Sequence, residues 1–302
     1  MDRLIKNKNT FFFSKRTINC GDKILDLGNP VVMGVLNITS DSFYDGGRYT
    51  SECKQIKQTE KMIDEGAKII DIGAVSTKPG AKQVSEKEEI RKLIPVIIKI
   101  RKIFSDICIS ADTYRASVAE LSVDNGADII NDISGGTFDA QMFETIAKIN
   151  VPYIIMHIQG SPQNMQKNPV YKDVVKEIIL FFSKQINKLK KIGVHDVIID
   201  PGFGFGKTLA HNYEILDKLD MFKIFELPVL VGMSRKRMIY KLLNITPSEA
   251  LNGTSVLNTI ALLKGANILR VHDVQQAFES IKITSALNSD NQKQKQMLSD
   301  LK

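Results

Sequence analysis

Three consecutive segments, PYIIMH (residues 152–157), DVVKEIILFFSKQINKLKKI (173–192) and DVIIDPG (196–202), decide the fold. The outer two are short runs rich in Ile and Val without clean alternation, the pattern of parallel strands covered on both faces. In the middle segment Val174, Val175, Ile178, Ile179, Phe182, Ile186 and Leu189 recur at three- and four-residue spacing, with Lys176, Glu177, Lys184 and Lys188 opposite. That is the apolar stripe of an amphipathic helix. Strand, helix, strand in this order is a parallel crossover unit.

The same unit repeats in both directions. Runs of similar character occupy residues 31–37, 68–73, 108–113, 128–134, 228–234 and 268–273, with helical periodicity between them. Eight strand-helix units in about 255 residues match an α/β protein of the (β/α)8 TIM-barrel type. A doubly wound open sheet competes, but no Gly-x-Gly-x-x-Gly opening accompanies the strands. Residues 17–28 read as a β-hairpin turning at Gly21-Asp22, suited to closing the bottom of a barrel. The expected organisation is therefore an N-terminal extension and hairpin (1–30), a barrel (31–288) and a polar, frayed tail (289–302).

Composition narrows the function classes. The 302 residues carry 41 Lys plus Arg against 34 Asp plus Glu, a formal net charge of +7 that sits in no single block. A diffuse excess suits a solvated surface with a small-anion site and argues against a nucleic-acid stripe. Cys20, Cys53 and Cys108 are too far apart for a C-x-x-C pair and suit a reducing, cytoplasmic setting. No apolar stretch is long enough for a membrane helix, and the run after Phe11 stops too soon for a signal peptide.

The strand ends carry the chemistry. In order they present Asn37, Asp71, Asp112, Asn131, His157, Asp200, Ser234 and the pair Arg270 and His272. In a barrel all carboxyl ends converge on one mouth, where catalysis is found in this fold. Asp112, Asn131 and Asp200 suit the edge of a flat heterocycle bearing ring N–H and amino groups, and Lys236 adds a donor. Arg270 and His272 alternate on one strand and make an anion site, while Val271 between them points outward. Asn37 is a neutral oxygen ligand of the kind Mg2+ accepts beside phosphate oxygens. The plainer alternatives are a packed His157, turn caps at Asp200 and Asn131, and a structural ion pair between Arg270 and Asp273. Two unusually long connections, 38–50 and 74–85, are rich in Gly, Ser and Thr and have the size of lids.

The segments MGVLNITSDSF (33–43), STKPGA (76–81), SADT (110–113), IINDI (129–133), MH (156–157), DPGFGFGK (200–207), GMSRK (232–236) and RVHD (270–273) resemble, in this order, the motifs of the dihydropteroate synthases, a family of pterin-binding TIM barrels. The resemblance implies a homodimeric transferase of folate biosynthesis. It would condense 6-hydroxymethyl-7,8-dihydropterin diphosphate with p-aminobenzoate, with Mg2+, and release diphosphate by a dissociative substitution. It implies a pterin pocket of Asp112, Asn131, Asp200 and Lys236, and diphosphate contacts from Asn37, Thr77, Lys78, Arg270, Val271 and His272. It implies a p-aminobenzoate pocket of Phe43, Pro79, Phe205, Ser234 and Arg235, with Asn37 as the Mg2+ ligand. Asp112, Lys236, Arg270 and His272 would be the catalytic set. Three positions depart from the usual pattern: Lys78 stands where arginine is common, Val75 where a polar or aromatic residue is frequent, and Arg237 where serine is common. A pterin-binding methyltransferase barrel shares the acidic and amide pocket but has no use for the Arg270–His272 anion site. A non-catalytic pterin-binding relative is the other alternative.

Overall fold

A computed structural model describes residues 17–21, 23–38, 48–75, 84–166 and 168–300, the side chains of 48–52 and 288–300 excepted. Phe43, Thr77, Lys78 and Pro79 lie outside the described residues. An antiparallel hairpin, β1 (Thr17–Cys20) and β2 (Lys23–Asp26), precedes eight parallel strands. These are β3 (Val31–Asn37), β4 (Ala67–Gly73), β5 (Cys108–Asp112), β6 (Ile129–Asp132), β7 (Tyr153–Met156), β8 (Val197–Asp200), β9 (Leu230–Val231) and β10 (Ile268–Val271). Each is followed by at least one helix: α1 (Arg48–Asp64), α2 (Glu86–Ile103), α3 (Ala116–Asp124), α4 (Met142–Ile149), α5 (Val174–Lys191), α6 (Leu209–Asp217), α7 (Arg237–Leu243) with α8 (Leu251–Leu263), and α9 (Val274–Asp300).

The sheet runs β8-β7-β6-β5-β4-β3-β10-β9, so the first and last barrel strands are paired, Val31 beside Ile268 across 237 positions of chain. Its two edges meet at the parallel bridge Ile199↔Val229, where the Ile199 amide also donates to the Pro228 carbonyl at 3.0 Å. That seam closes the barrel and leaves no exposed sheet edge.

Helix α5 shows how the local sequence builds the outer layer. Asp173 caps it by accepting from the Lys176 amide at 2.9 Å, and Lys188, Lys190 and Lys191 face the negative end of the helix dipole. Val174, Val175, Ile178, Phe182, Ile186 and Leu189 are buried against the sheet as the periodicity predicts. Gln185 is buried on the same face, its amide donating to the Gly135 carbonyl at 2.7 Å. That bond satisfies the amide nitrogen, while the buried Oε1 has no hydrogen-bond partner among the described residues. Helix α9 keeps helical backbone to Asp300, through residues whose polarity suggests fraying; that stretch contains neither Gly nor Pro to end a helix.

Inside the barrel, period-two alternation sorts residues by height. Val31, Met33, Ile69, Cys108, Ile129, Ile154, Ile198, Leu230 and Ile268 form one cluster at the amino-terminal end. Ile18, Cys20, Leu25 and Leu27 of the hairpin segment belong to the same cluster, so the hairpin plugs the bottom as expected. Advancing two residues keeps a side chain on the inner face. Ile69 leads to Asp71, Cys108 to Ser110 and Asp112, Ile129 to Asn131, Ile198 to Asp200, and Ile268 to Arg270 and His272. The interior therefore changes from apolar at the plug to polar at the mouth within one turn of the strand pleat.

Candidate functional site

Asp112, Asn131, Asp200 and Arg270 end on the same inner face at the carboxyl rim, brought there by the register that sets Gly73 beside Asp112 and Asp112 beside Asn131. At their centre lies an ion-pair cluster. Arg270 Nε donates to Asp71 Oδ2 at 2.7 Å, and Nη2 reaches both Asp71 Oδ2 (2.6 Å) and Asp112 Oδ2 (2.8 Å). Asp71 also accepts from Ser110 Oγ at 2.7 Å and from Asn131 Nδ2 at 3.2 Å. Two carboxylates thus share one guanidinium, and the amide of Asn131 is oriented by the deeper of them. The alternative pairing of Arg270 with Asp273 does not occur. Asp273 instead takes Arg235, whose Nε and Nη2 each sit 2.8 Å from its oxygens. Arg235 further donates through Nη1 to the carbonyls of Pro247 and Ser248. Its guanidinium is thereby engaged by Asp273 and by these two carbonyls.

The electrostatics follow from burial. Burial, then the neighbouring charge of Asp71, push the Asp112 carboxyl up to about 7, against the pull of Arg270. Burial also raises Asp200, opposed by Lys236 and by the Gly202 amide that donates to its Oδ1 at 2.8 Å. Lys236 is brought down to about 8 by burial, with Asp200 acting in the other direction. Its Nζ donates to the Phe203 carbonyl at 2.6 Å and lies 4.6 Å above the ring of Phe205, a cation–π contact. Burial works against the charge of Arg270, but Asp71 and Asp112 more than offset it, so the arginine stays charged.

The remaining expected residues fall into place unevenly. Phe205 is buried beside Ile133, Met156 and Met165, an apolar wall of the mouth. Ser234 Oγ accepts from the His272 amide at 3.2 Å and stands 3.1 Å from His272 Nδ1, which fixes the imidazole; burial and Arg270 lower its pKa. Val271 is buried in the layer between sheet and helices, so its side chain faces away from the mouth. Asn37 is exposed at the end of β3. Val75 is half-buried, and Arg237 is the exposed first residue of α7.

His157 does not join the mouth. It follows Met156 on the opposite face of β7, where its ring packs edge-on against Phe181, and its Nδ1 lies 3.1 Å from Lys207 Nζ. Lys207, given no role above, also donates to the carbonyls of His157 (3.1 Å) and Phe205 (3.0 Å). Burial brings this lysine down to about 7. It pins the loop of residues 201–207 against β7. That loop needs its glycines: Gly202, Gly204 and Gly206 all have positive φ, and a Cβ on Gly202 would lie 2.0 Å from the His157 carbonyl oxygen. Asp71, which stands among the strand ends without a role, is the residue the strand-end pattern undervalues. Its inner-face parity with Ile69 was the available signal.

A largely buried acceptor–amide–acceptor set, a half-buried lysine and an arginine–histidine pair can hold a polar heterocycle and an anion side by side. Comparisons with known proteins agree. The family model described as pterin binding enzyme matches residues 33–272. The dihydropteroate synthase of Escherichia coli (strain K12) is 45% identical over 264 residues, covering 87% of this chain and 93% of that protein. That of Haemophilus influenzae is 43% identical, covering 88% and 96%. Among solved structures, Yersinia pestis dihydropteroate synthase in complex with a sulfonamide drug superposes with a TM-score of 0.85 at 42% identity, covering 90% of this chain and 99% of that one. The Xanthomonas albilineans enzyme with 4-aminobenzoic acid gives 0.84 at 34% identity, covering 91% and 99%. The chain belongs to the pterin-binding enzyme family, as one of its dihydropteroate synthases.

Proposed function

We propose that this mouth condenses 6-hydroxymethyl-7,8-dihydropterin diphosphate with p-aminobenzoate, giving 7,8-dihydropteroate and diphosphate, by a dissociative substitution. The observation that carries the reading is the convergence of Asp112, Asn131, Asp200 and Lys236 beside Arg270 on one barrel rim. Asp112 and Asp200 accept from the ring N–H and amino groups of the pterin, while Asn131 both donates and accepts. The bond between the pterin methylene and the diphosphate oxygen breaks first, and its electron pair leaves with the diphosphate. Arg270 and His272 take the charge that develops there, in a desolvated site where such contacts are strongest. The pterin-methyl cation is stabilised by its own ring and by the Asp112 carboxylate. The p-aminobenzoate nitrogen, held against Phe205 and Ser234, then attacks the methylene and sheds a proton.

Mg2+ fits this arrangement. The described residues hold no group of three or more acidic, His or Cys side chains placed to bind a metal ion, but Asn37, a residue with a neutral amide oxygen, is exposed at the rim. An ion that keeps its waters and takes substrate phosphate oxygens asks for little more. When bound there it would neutralise charge on the departing diphosphate.

The enzyme acts, in this reading, as a cytoplasmic homodimer. Among the described residues no helix is long and apolar enough to cross a membrane, and all three cysteines are free. Exposed Val256 and Leu263 on α8 and Ile283 and Leu287 on α9 support a subunit contact along these two helices. The deciding assay is diphosphate release that requires both the pterin diphosphate and p-aminobenzoate. Release without the amine, or none with both substrates, would sink the assignment.

A further inference from the structure

Asp71 is fully buried, yet it is not idle charge in the core. One oxygen takes the Ser110 hydroxyl at 2.7 Å; the other takes Arg270 Nε at 2.7 Å and Nη2 at 2.6 Å; Asn131 Nδ2 lies 3.2 and 3.4 Å from the two. It therefore touches one residue of the pterin pocket and one of the anion site. By strand parity it sits one layer below Asp112, nearer the plug. It is thus placed to hold the residues that touch substrate, and it has no opening of its own onto the mouth.

The sharing of Arg270 adds a second point. Asp112 Oδ2 is engaged by Arg270 Nη2 at 2.8 Å, so an acceptor meant for the pterin and a donor meant for the diphosphate occupy one another. Substrate must exchange that contact for two new ones. The Asp71–Arg270 Nε bond does not compete with either end of the substrate and can persist as a pivot. An arginine without that anchor would have four rotatable side-chain bonds and no fixed direction, and catalysis depends steeply on such placement.

We propose that Asp71 is a positioning residue that holds Arg270 and Asn131 in one frame, keeping Arg270 Nε while the Arg270–Asp112 contact gives way to substrate. This rests on the site assignments above. It acts through Arg270 and Asn131, so its effect must disappear where they are missing.

The experiment is a double-mutant cycle in steady-state turnover of the full chain, with Asp71→Asn, Arg270→Ala and the pair, each checked for folding by thermal melting. Asp71→Asn lowers kcat by about tenfold to 100-fold with KM for p-aminobenzoate little changed. In the Arg270→Ala background the same substitution costs less than about threefold. A second readout is the acid limb of the kcat/KM profile. Asp112 is faced by Asp71 on β4, Arg270 on β10, Glu89 on α2, Asp132 on β6 and Lys236 ahead of α7. Removing the Asp71 charge moves that limb to lower pH, which a loss of packing alone would not do. Equal cost of Asp71→Asn in both backgrounds, or full activity of the single variant, overturns the positioning role. If Arg270→Ala itself leaves turnover and the affinity for pterin diphosphate unchanged, the site assignment fails instead.

Discussion

Asp112 makes pterin binding depend on pH in a way that ordinary carboxylates would not. A carboxylate accepts from both the ring N–H and the amino group of a pterin, whereas the protonated acid can accept only weakly and donates where acceptance is needed. Its pKa of about 7, raised first by burial and then by Asp71, means that the binding-competent ionised form falls away below neutrality. The ionised fraction is roughly three-quarters at pH 7.5 and about 3% at pH 5.5, so the apparent Kd for bare 6-hydroxymethylpterin should rise about 25-fold between them, or about 1.4 kcal/mol for each pH unit below 7. Calorimetric titration at constant ionic strength reads this directly. In buffers of different ionisation enthalpy it should also show close to one proton released per pterin bound at pH 6. Asp112→Asn should remove the slope. Asp200→Asn is the control, because Asp200 is also raised by burial, and it should keep most of the slope while weakening binding overall. A wild-type Kd constant within twofold over this range, with no proton release, would refute the reasoning.

Other consequences are accessible by stability measurements. Arg270→Met leaves Asp71 and Asp112 facing each other without their shared counter-charge and should cost about 3–5 kcal/mol in denaturant unfolding; adding Asp71→Asn should return part of that, and no recovery would count against the shared pairing. Gly202→Ala requires a positive φ of 74° and places its methyl 2.0 Å from a backbone oxygen, so a loss of about 3 kcal/mol or more is expected, and a loss under 1 kcal/mol would contradict the loop geometry. Burial, then Lys207, depress His157 to about 2, far below its unfolded value, so the unfolded chain binds the extra proton. Its contribution to stability is present above about pH 6.5 and is lost as pH falls toward 2. Between pH 7.5 and 5.5 the urea midpoint of wild type should therefore drop further than that of His157→Gln; equal drops would show that His157 titrates alike in the folded and unfolded chain.

Much of this protein is legible in its sequence because the information is local. The spacing of Val174 through Leu189 and the cap at Asp173 describe α5 with no knowledge of its neighbours. The runs of Ile and Val describe the strands, and Gly21 marks the hairpin turn between Cys20 and Lys23. Period two then says which strand residues share the inner face, and it separates Asp71, Asp112, Asn131, Asp200 and Arg270 from Val271; His157, grouped with the strand ends in the sequence, is the one the structure removes from the mouth. These follow from backbone geometry, which repeats every few residues whatever the rest of the chain does.

What only the tertiary structure decided is which charges meet. Arg270 lies three residues from Asp273 in the chain, yet it pairs with Asp71, 199 positions away, and with Asp112, 158 positions away, while Asp273 is taken by Arg235. Lys207 likewise finds His157 across 50 positions. An inward-facing side chain cannot choose a partner until closure through the Ile199↔Val229 bridge sets the strands side by side and lifts their ends into one low-dielectric space. Period and composition named the groups of the mouth. Register and closure determined their partners, and with them the pKa values on which the chemistry depends.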